Sequence, residues 1–422
     1  MNDWYKPELI QRARDLHKRN PLIDGHNDLP WKYRQRTDYQ FSVLDMATLQ
    51  PGVHADIPKL REGGVGGQFW SVYVSTDLNP DEYVRATIEQ IDFVYKMVER
   101  YPDSFEIALT ADDVESIFEK GKIASLIGVE GGHSIDCSIP TLRMLFRLGV
   151  RYMTLTHDKN VPWADSCSDI PQSRGLSQFG REVVYEMNRL GMLVDLSHVS
   201  PDTMRDTLDV AQAPVIFSHS SARSLNDHPR NVPDDVLKRM PLNGGVVMAN
   251  FVTSFISPEV YDHFLRRKDQ IRKLRSLSKD VHEVTETDIK STDLNMIYNI
   301  EKELETWDKA NPAPQATLMQ VADHIDRIVD MASIYNVGIG SDFDGITKTP
   351  IGLEDASKFP MLTAELINRG YSDGDIGQIL GRNVLRVMRE AEEIAVKSKK
   401  KGASSDAAFR QFRDSRIKEF LD

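Results

Sequence analysis

The chain is predicted to fold as a parallel (β/α)₈ TIM barrel, on three observations. Eight short, nearly continuous apolar runs recur along it. Amphipathic stretches of helical period separate them, and ionisable side chains gather where the runs end. Apolar runs of this length, rich in β-branched and aliphatic residues, read as strands buried on both faces. Eight of them alternating with helices is the pattern of a closed barrel and not of an open doubly wound sheet.

In chain order, residues 1–19 read as an N-terminal helix. The strand runs are PLIDGHND (21–28), GGQFWSVYV (66–74), KIASLIGVEGG (122–132), VRYMTLTHD (150–158), GMLVDLSHVS (191–200), PVIFSHSS (214–221), GGVVMANF (244–251) and VGIGSDFDG (337–345). Helical stretches such as DEYVRATIEQIDFVYKMVERY (81–101) and SQFGREVVYEMNRLG (177–191) lie between them. Segment 254–315 departs from the pattern. It is dense in mixed charge (FLRRKDQIRKLRSLSKDVHEVTETDIK) and ends at the turn NPAPQ, so it reads as a helical insertion after the seventh strand. On this reading residues 1–396 form a single barrel domain containing that insertion, and 397–422 a charged C-terminal tail.

The 422 residues carry 52 Lys and Arg against 64 Asp and Glu, a net charge of −12, with 40% hydrophobic residues. That much apolar material excludes global disorder. The acidity argues against a nucleic-acid partner, which would select a cationic face. Two cysteines, Cys137 and Cys167, cannot build a disulfide framework and fit a reducing compartment. No run approaches 18 apolar residues and the N-terminus has no apolar signal core, so the expectation is a cytoplasmic protein with no membrane partner.

The chemistry lies at the strand ends. The first run ends in His26 and Asp28, the third in Glu130, the fourth in His157 and Asp158, the fifth in His198, the sixth in His219, and the eighth in Asp342 and Asp344. In a barrel these ends converge on one face, where active sites are built. The strand interiors are read as free of such groups. His26 and Asp28, two apart, share a strand face. Joined by Glu130, His198 and His219 they make five nitrogen and oxygen ligands, a set suited to zinc, with Mn, Co or Ni as substitutes. Five exceed the needs of one catalytic zinc but serve two ions that share a carboxylate, with Glu130 as the bridge. Lys159 is the one lysine near a strand end, just past His157, so a carbamylated lysine bridge is disfavoured. His324 and Asp326 repeat the His-x-Asp spacing inside a helical pattern, where residues two apart diverge, and are assigned to packing or surface. His17, His54, His263 and His282 lie in charged or turn contexts and are assigned structural roles.

Taken jointly, LIDGHNDLPW, HADIPKLREGGVGGQFWSVYV, ASLIGVEGGHSID, LTHDKNVPWADS, DLSHVS, PVIFSHSSAR, RNVPDD and GSDFDG closely resemble the renal, or membrane, dipeptidase family of zinc peptidases. The motifs run in order from about residue 20 to 390. The resemblance implies two zinc ions per chain, one taking His26, Asp28 and Glu130 and the other Glu130, His198 and His219. It implies that His157 contacts the substrate carbonyl, that Arg230 holds the substrate carboxylate and that Asp342 is the acid–base group. It favours a homodimer. The implied reaction is hydrolysis of free dipeptides by a metal-bridging hydroxide, with related amidohydrolysis of β-lactams or amino-acid conjugates in a biosynthetic pathway as the alternative. Asn250, ending the seventh strand, is a further candidate substrate contact. Asp344 is expected to orient its neighbours, and Asp165 is read either as a supporting residue of the site or as a turn carboxylate. Secreted animal members carry a signal peptide, a lipid-anchor tail and a cysteine two residues after the histidine matching His157. Here that position is Lys159, and the 254–315 insertion is longer than theirs, so it could wall the cleft.

Overall fold

Nine parallel strands make one sheet, and eight of them close on themselves. The strands are β1 (Leu22–Asn27), β2 (Val65–Ser71), β3 (Phe105–Ile107), β4 (Ile123–Glu130), β5 (Val150–Thr154), β6 (Leu193–Asp195), β7 (Ile216–Phe217), β8 (Val246–Ala249) and β9 (Val337–Ile339). The order runs β2-β1-β9-β8-β7-β6-β5-β4, and pairing of β2 with β4 from Gly67↔Ala124 to Ser71↔Gly128 shuts the barrel. This computed structural model describes residues 4–277, 289–401 and 409. The eight expected runs all supply barrel strands. The ninth strand, β3, is an addition to that reading. It pairs alongside the first residues of β4, Phe105 opposite Ile123, and three residues between two helices leave no periodic signal.

Helices cover the barrel as a parallel sheet demands, and every residue of β1, β2 and β4 is buried. The helix Tyr83–Arg100 buries Ala86, Gln90, Phe93, Val94 and Met97, one stripe at helical spacing. Burying a side chain such as Phe93 stabilises the fold by about 1.5–3 kcal/mol. Inside the barrel the Tyr152 ring lies against Gly128, where a Cβ would fall 2.0 Å from the ring. Only glycine leaves that space. The loops then enter their helices through serine caps. Ser138, Ser177 and Ser200 accept from the backbone N–H of Thr141, Gly180 and Thr203, each cap contributing about 1 kcal/mol. His198 stands two residues before the Ser200 cap, which pins its loop.

Between β8 and β9 run the helices Pro258–Leu277 and Ile289–Ala310, joined side to side by Arg267 paired with Asp308 at 2.9 Å. His282 of the expected insertion falls outside the described residues. The last helix, Asn383–Lys401, continues into the stretch expected as a tail. Of the remainder only Phe409 is described, its ring 5.2 Å from Phe179, and the other residues of 402–422 fall outside. Both cysteines are free. Among the described residues no helix is long and apolar enough to cross a membrane.

One expectation is corrected. The strands are not free of ionisable groups, for Asp24 lies within β1 and Asp195 ends β6, both fully buried. Each is fully satisfied by donors. Asp24 accepts from the Ser341 backbone N–H and hydroxyl, both at 2.7 Å, and from Gln68 Nε2 at 3.1 Å, tying β1 to β2 and to the loop after β9. A buried carboxylate so provided for is tolerated where an unpaired one is not.

Candidate metal centre

The strand ends bring the expected ionisable residues to one point. Glu130, the last residue of β4, stands at the middle with its two oxygens turned to different partners. Its Oε2 lies 3.4 Å from His26 Nε2, which is itself 3.4 Å from Asp28 Oδ2. Its Oε1 lies 3.0 Å from His198 Nε2 and 3.4 Å from His219 Nε2. Three sets of donor atoms fall within 4.8 Å of one another: His26, Glu130 and His219; Glu130, His157 and His198; and His26, Asp28 and Asp342. His157 thus enters the cluster on the same footing as the expected ligands, 3.7 Å from Glu130 Oε1.

Backbone strain marks the same place. His198, Asp342 and Asp344 have φ of 69°, 63° and 66°, the left-handed region that side-chain-bearing residues rarely occupy. Gly345 closes the turn after β9, where a Cβ would fall 2.2 Å from Asp28 Oδ2 and 2.5 Å from Asp342 Oδ1. The two carboxylates approach each other because residue 345 has no side chain.

The donor set fits metal ions. His26 Nε2 and Asp28 Oδ1 are buried without a hydrogen-bond partner, though surrounded by groups of ligand type. His198 Nε2 and His219 Nε2 face each other at 3.0 Å, two lone pairs that only a proton or a cation between them can reconcile. Burial, reinforced by nearby Arg230, pushes both of these histidines well below the ordinary imidazole range. Neutral imidazole is the form that binds metal. Burial alone would raise Glu130, but His26, His157, His198 and His219 outweigh it and hold it well below the carboxylate range. An ionised glutamate beside the neutral His198 and His219 is a metal-ready set.

The flanking residues take definite places. Arg230 is buried, donating from Nη2 to the His219 carbonyl at 3.1 Å and from Nη1 to Ser220 Oγ at 3.4 Å, with Cζ 5.3 Å from the Phe255 ring. No carboxylate among the described residues comes within ion-pair distance of it. Asp342 is half-buried. Desolvation, aided by the Asp28 and Glu130 carboxylates, pushes it well above the ordinary range despite His26 and Arg230. Asp344 orients its surroundings, accepting from the His54 and Ala55 backbone N–H at 2.7 and 3.1 Å. Asn250 is buried with its Oδ1 on the Val252 N–H, and its Nδ2 has no partner. Asp158 is 64% exposed and sits on the rim. Lys159 pairs with Asp77 at the surface. Asp165 organises its own loop by accepting from the N–H of Gln172, Ser173 and Gly175, so the turn reading describes it. That loop clasps the site, for Ser166 Oγ donates to the His157 carbonyl and the Cys167 N–H to the His198 carbonyl. His324, the helical control, is buried between the Ala222 N–H and the Ile256 carbonyl, far in function from its His-x-Asp spacing.

Sequence reasoning missed the partners of the histidines. Tyr152 of β5 meets His26 Nδ1 at 2.9 Å, and Ser218, just past β7, meets His219 Nδ1 at 2.8 Å. Ser218 adjoins His219 in the chain, a weak signal. Tyr152 and His26 are 126 residues apart, and only closure of the barrel joins them.

The family model described as membrane dipeptidase (peptidase family M19) matches residues 10–402. The chain is 41% identical to dipeptidase verJ of Clonostachys rogersoniana, covering 93% of this chain and 90% of that protein. Among solved structures it resembles the probable dipeptidase PvdM of Pseudomonas aeruginosa (TM-score 0.78, 24% identity, 93% of this chain and 100% of that one). It also resembles a metallo peptidase of Rhodobacter sphaeroides liganded with a phosphinate mimic of the dipeptide L-Ala-D-Ala (TM-score 0.70, 21% identity, 88% of this chain and 99% of that one).

Proposed function

The chain belongs to the membrane dipeptidase family, and from that premise we propose that it hydrolyses free dipeptides with the help of two zinc ions. His26, Asp28 and Glu130 Oε2 would hold one ion, and Glu130 Oε1, His198 and His219 the other. Bound there, the ions would supply Lewis-acid polarisation of the scissile carbonyl and a water acidic enough to ionise near neutrality.

The rest is done by the chain's own side chains. Arg230 carries the reading: a buried guanidinium, lacking a carboxylate of its own, stands one hydrogen bond from the backbone of His219. Its fork is the shape that grips a carboxylate bidentately, and a free α-carboxylate is what a dipeptide offers. Clamped there, the scissile carbonyl lies one residue away, over Glu130 and the histidines. His157 Nε2 points into the cluster and would donate to the carbonyl oxygen as charge develops on it. Asp342 would accept the proton of the attacking water and return it to the leaving amine nitrogen.

A panel of L,L and L,D dipeptides, with tripeptides as controls, tests the proposal on zinc-loaded and chelator-treated protein. Dipeptides should be cleaved, tripeptides poorly, and the chelated protein should be inactive until zinc is restored. Tripeptide cleavage at dipeptide rates would remove the reading.

A further inference from the structure

We infer that two hydroxyl groups inside the barrel, on Ser218 and Tyr152, fix the ring tautomers of His219 and His26, each acting as the positioning residue of a different ion. The inference rests on the metallopeptidase reading and extends it to residues that touch neither ion nor substrate.

The proton bookkeeping starts from Asp195. Its carboxylate is fully buried and collects four hydrogen bonds. Oδ1 takes the N–H of Ser197 at 3.1 Å and of Ser218 at 2.8 Å, and Oδ2 takes the hydroxyls of Thr154 at 2.5 Å and of Ser218 at 2.6 Å. Four donors on one carboxylate make it an ionised acceptor, so the Ser218 hydroxyl must spend its proton on Asp195. Its lone pair then faces His219 Nδ1 at 2.8 Å and can only accept. His219 is therefore protonated at Nδ1, and Nε2 presents a lone pair toward Glu130 Oε1.

Tyr152 repeats the device without a carboxylate. Its hydroxyl donates to the Gly25 carbonyl at 3.2 Å, leaving a lone pair for His26 Nδ1 at 2.9 Å. His26 is likewise protonated at Nδ1, and its partnerless Nε2 faces Asp28 and Glu130 Oε2. His219 is aimed by the residue before it in the chain and His26 by a side chain reaching across the barrel from β5, and the two hydroxyls serve opposite oxygens of the bridging glutamate. His198 lacks this support, its Nδ1 being without a hydrogen-bond partner. Outer hydrogen bonds of this kind typically alter metal affinity ten- to hundredfold.

The test is metal affinity in the full chain, read by competition with a chromophoric zinc chelator. Ser218→Ala should weaken one of two bound ions ten- to hundredfold and leave the other within threefold. Tyr152→Phe should weaken the other ion, and the double variant both. Variants that melt like the wild type yet hold both ions within threefold of wild-type affinity would overturn the inference. If a variant does not fold, the zinc-loaded wild type decides by proton NMR. The Nδ1 protons of His26 and His219 should exchange slowly with solvent, and rapid exchange of either would refute its hydrogen bond. Wild-type protein that takes up no zinc would instead strike the metallopeptidase reading on which this inference stands.

Discussion

Replacing Arg230 with methionine removes a charge and five N–H donors while keeping an apolar stem against Phe255. In the folded chain two of those donors are engaged, on the His219 carbonyl at 3.1 Å and Ser220 Oγ at 3.4 Å. The others are free for a ligand. A hydrogen bond to a charged group contributes about 1.5–3 kcal/mol, a ten- to hundredfold factor at about 1.4 kcal/mol per decade. Arg230→Met should therefore lower kcat/KM for free dipeptides by about that factor. Most of the loss should fall in KM, because the carboxylate is gripped in ground and transition states alike. The assay is steady-state hydrolysis of one dipeptide and of its C-terminal amide by both proteins. The wild type should favour the free acid, and the variant should lose that preference. Equal loss on acid and amide would mean that Arg230 only supports the His219 backbone, and wild-type protein indifferent to amidation would refute the carboxylate clamp.

Other substitutions probe separate parts of the account. Asp342→Asn should keep the fold and the metal but lose about 10²- to 10⁴-fold in kcat, and a loss under threefold would pass the proton transfer to another group. Asp165→Ala strips a charged acceptor from three backbone N–H groups. It should cost about 1–3 kcal/mol in urea unfolding, and hydrogen exchange should rise in residues 172–175; unchanged protection there would contradict its place in the loop. Two buried histidines should also contribute a loss of stability in acid. Burial pushes His17 and His324 from 6.5 down to about 4, so the unfolded chain takes up two protons that the folded chain resists. Their contribution is complete above pH 6.5 and is lost toward pH 4, by up to about 3 kcal/mol per pH unit. A wild type whose urea midpoint falls no more steeply over that window than that of a His17→Gln, His324→Gln double variant would contradict it.

How much of this could be read from the chain alone follows from what each feature depends on. The barrel was legible because its eight strands are buried on both faces at nearly every residue, which writes a continuous apolar run. The cluster was legible because strand ends in such a fold share one face. His26, Asp28, Glu130, His198 and His219 therefore declare themselves by position, and His324-x-Asp326 excludes itself by its helical setting. Asp24 and Asp195 escaped because a buried carboxylate inside a strand is made tolerable by partners such as Ser341 and Thr154, which no local pattern announces. Tyr152 reads as one more apolar residue of its strand until closure sets its hydroxyl against His26. β3 escaped for its brevity. The aim of Arg230 at the His219 carbonyl depends on the packing of a loop, which periodicity does not encode.

The central claim is that Glu130 joins two metal positions, one at each oxygen. Elemental analysis of zinc-loaded wild-type protein beside Glu130→Gln tests it most directly. The account predicts about two ions per wild-type chain and the loss of both tight positions, together with dipeptide hydrolysis, in the variant. One tightly held ion in a fully active wild type, or two ions kept by Glu130→Gln, would contradict it.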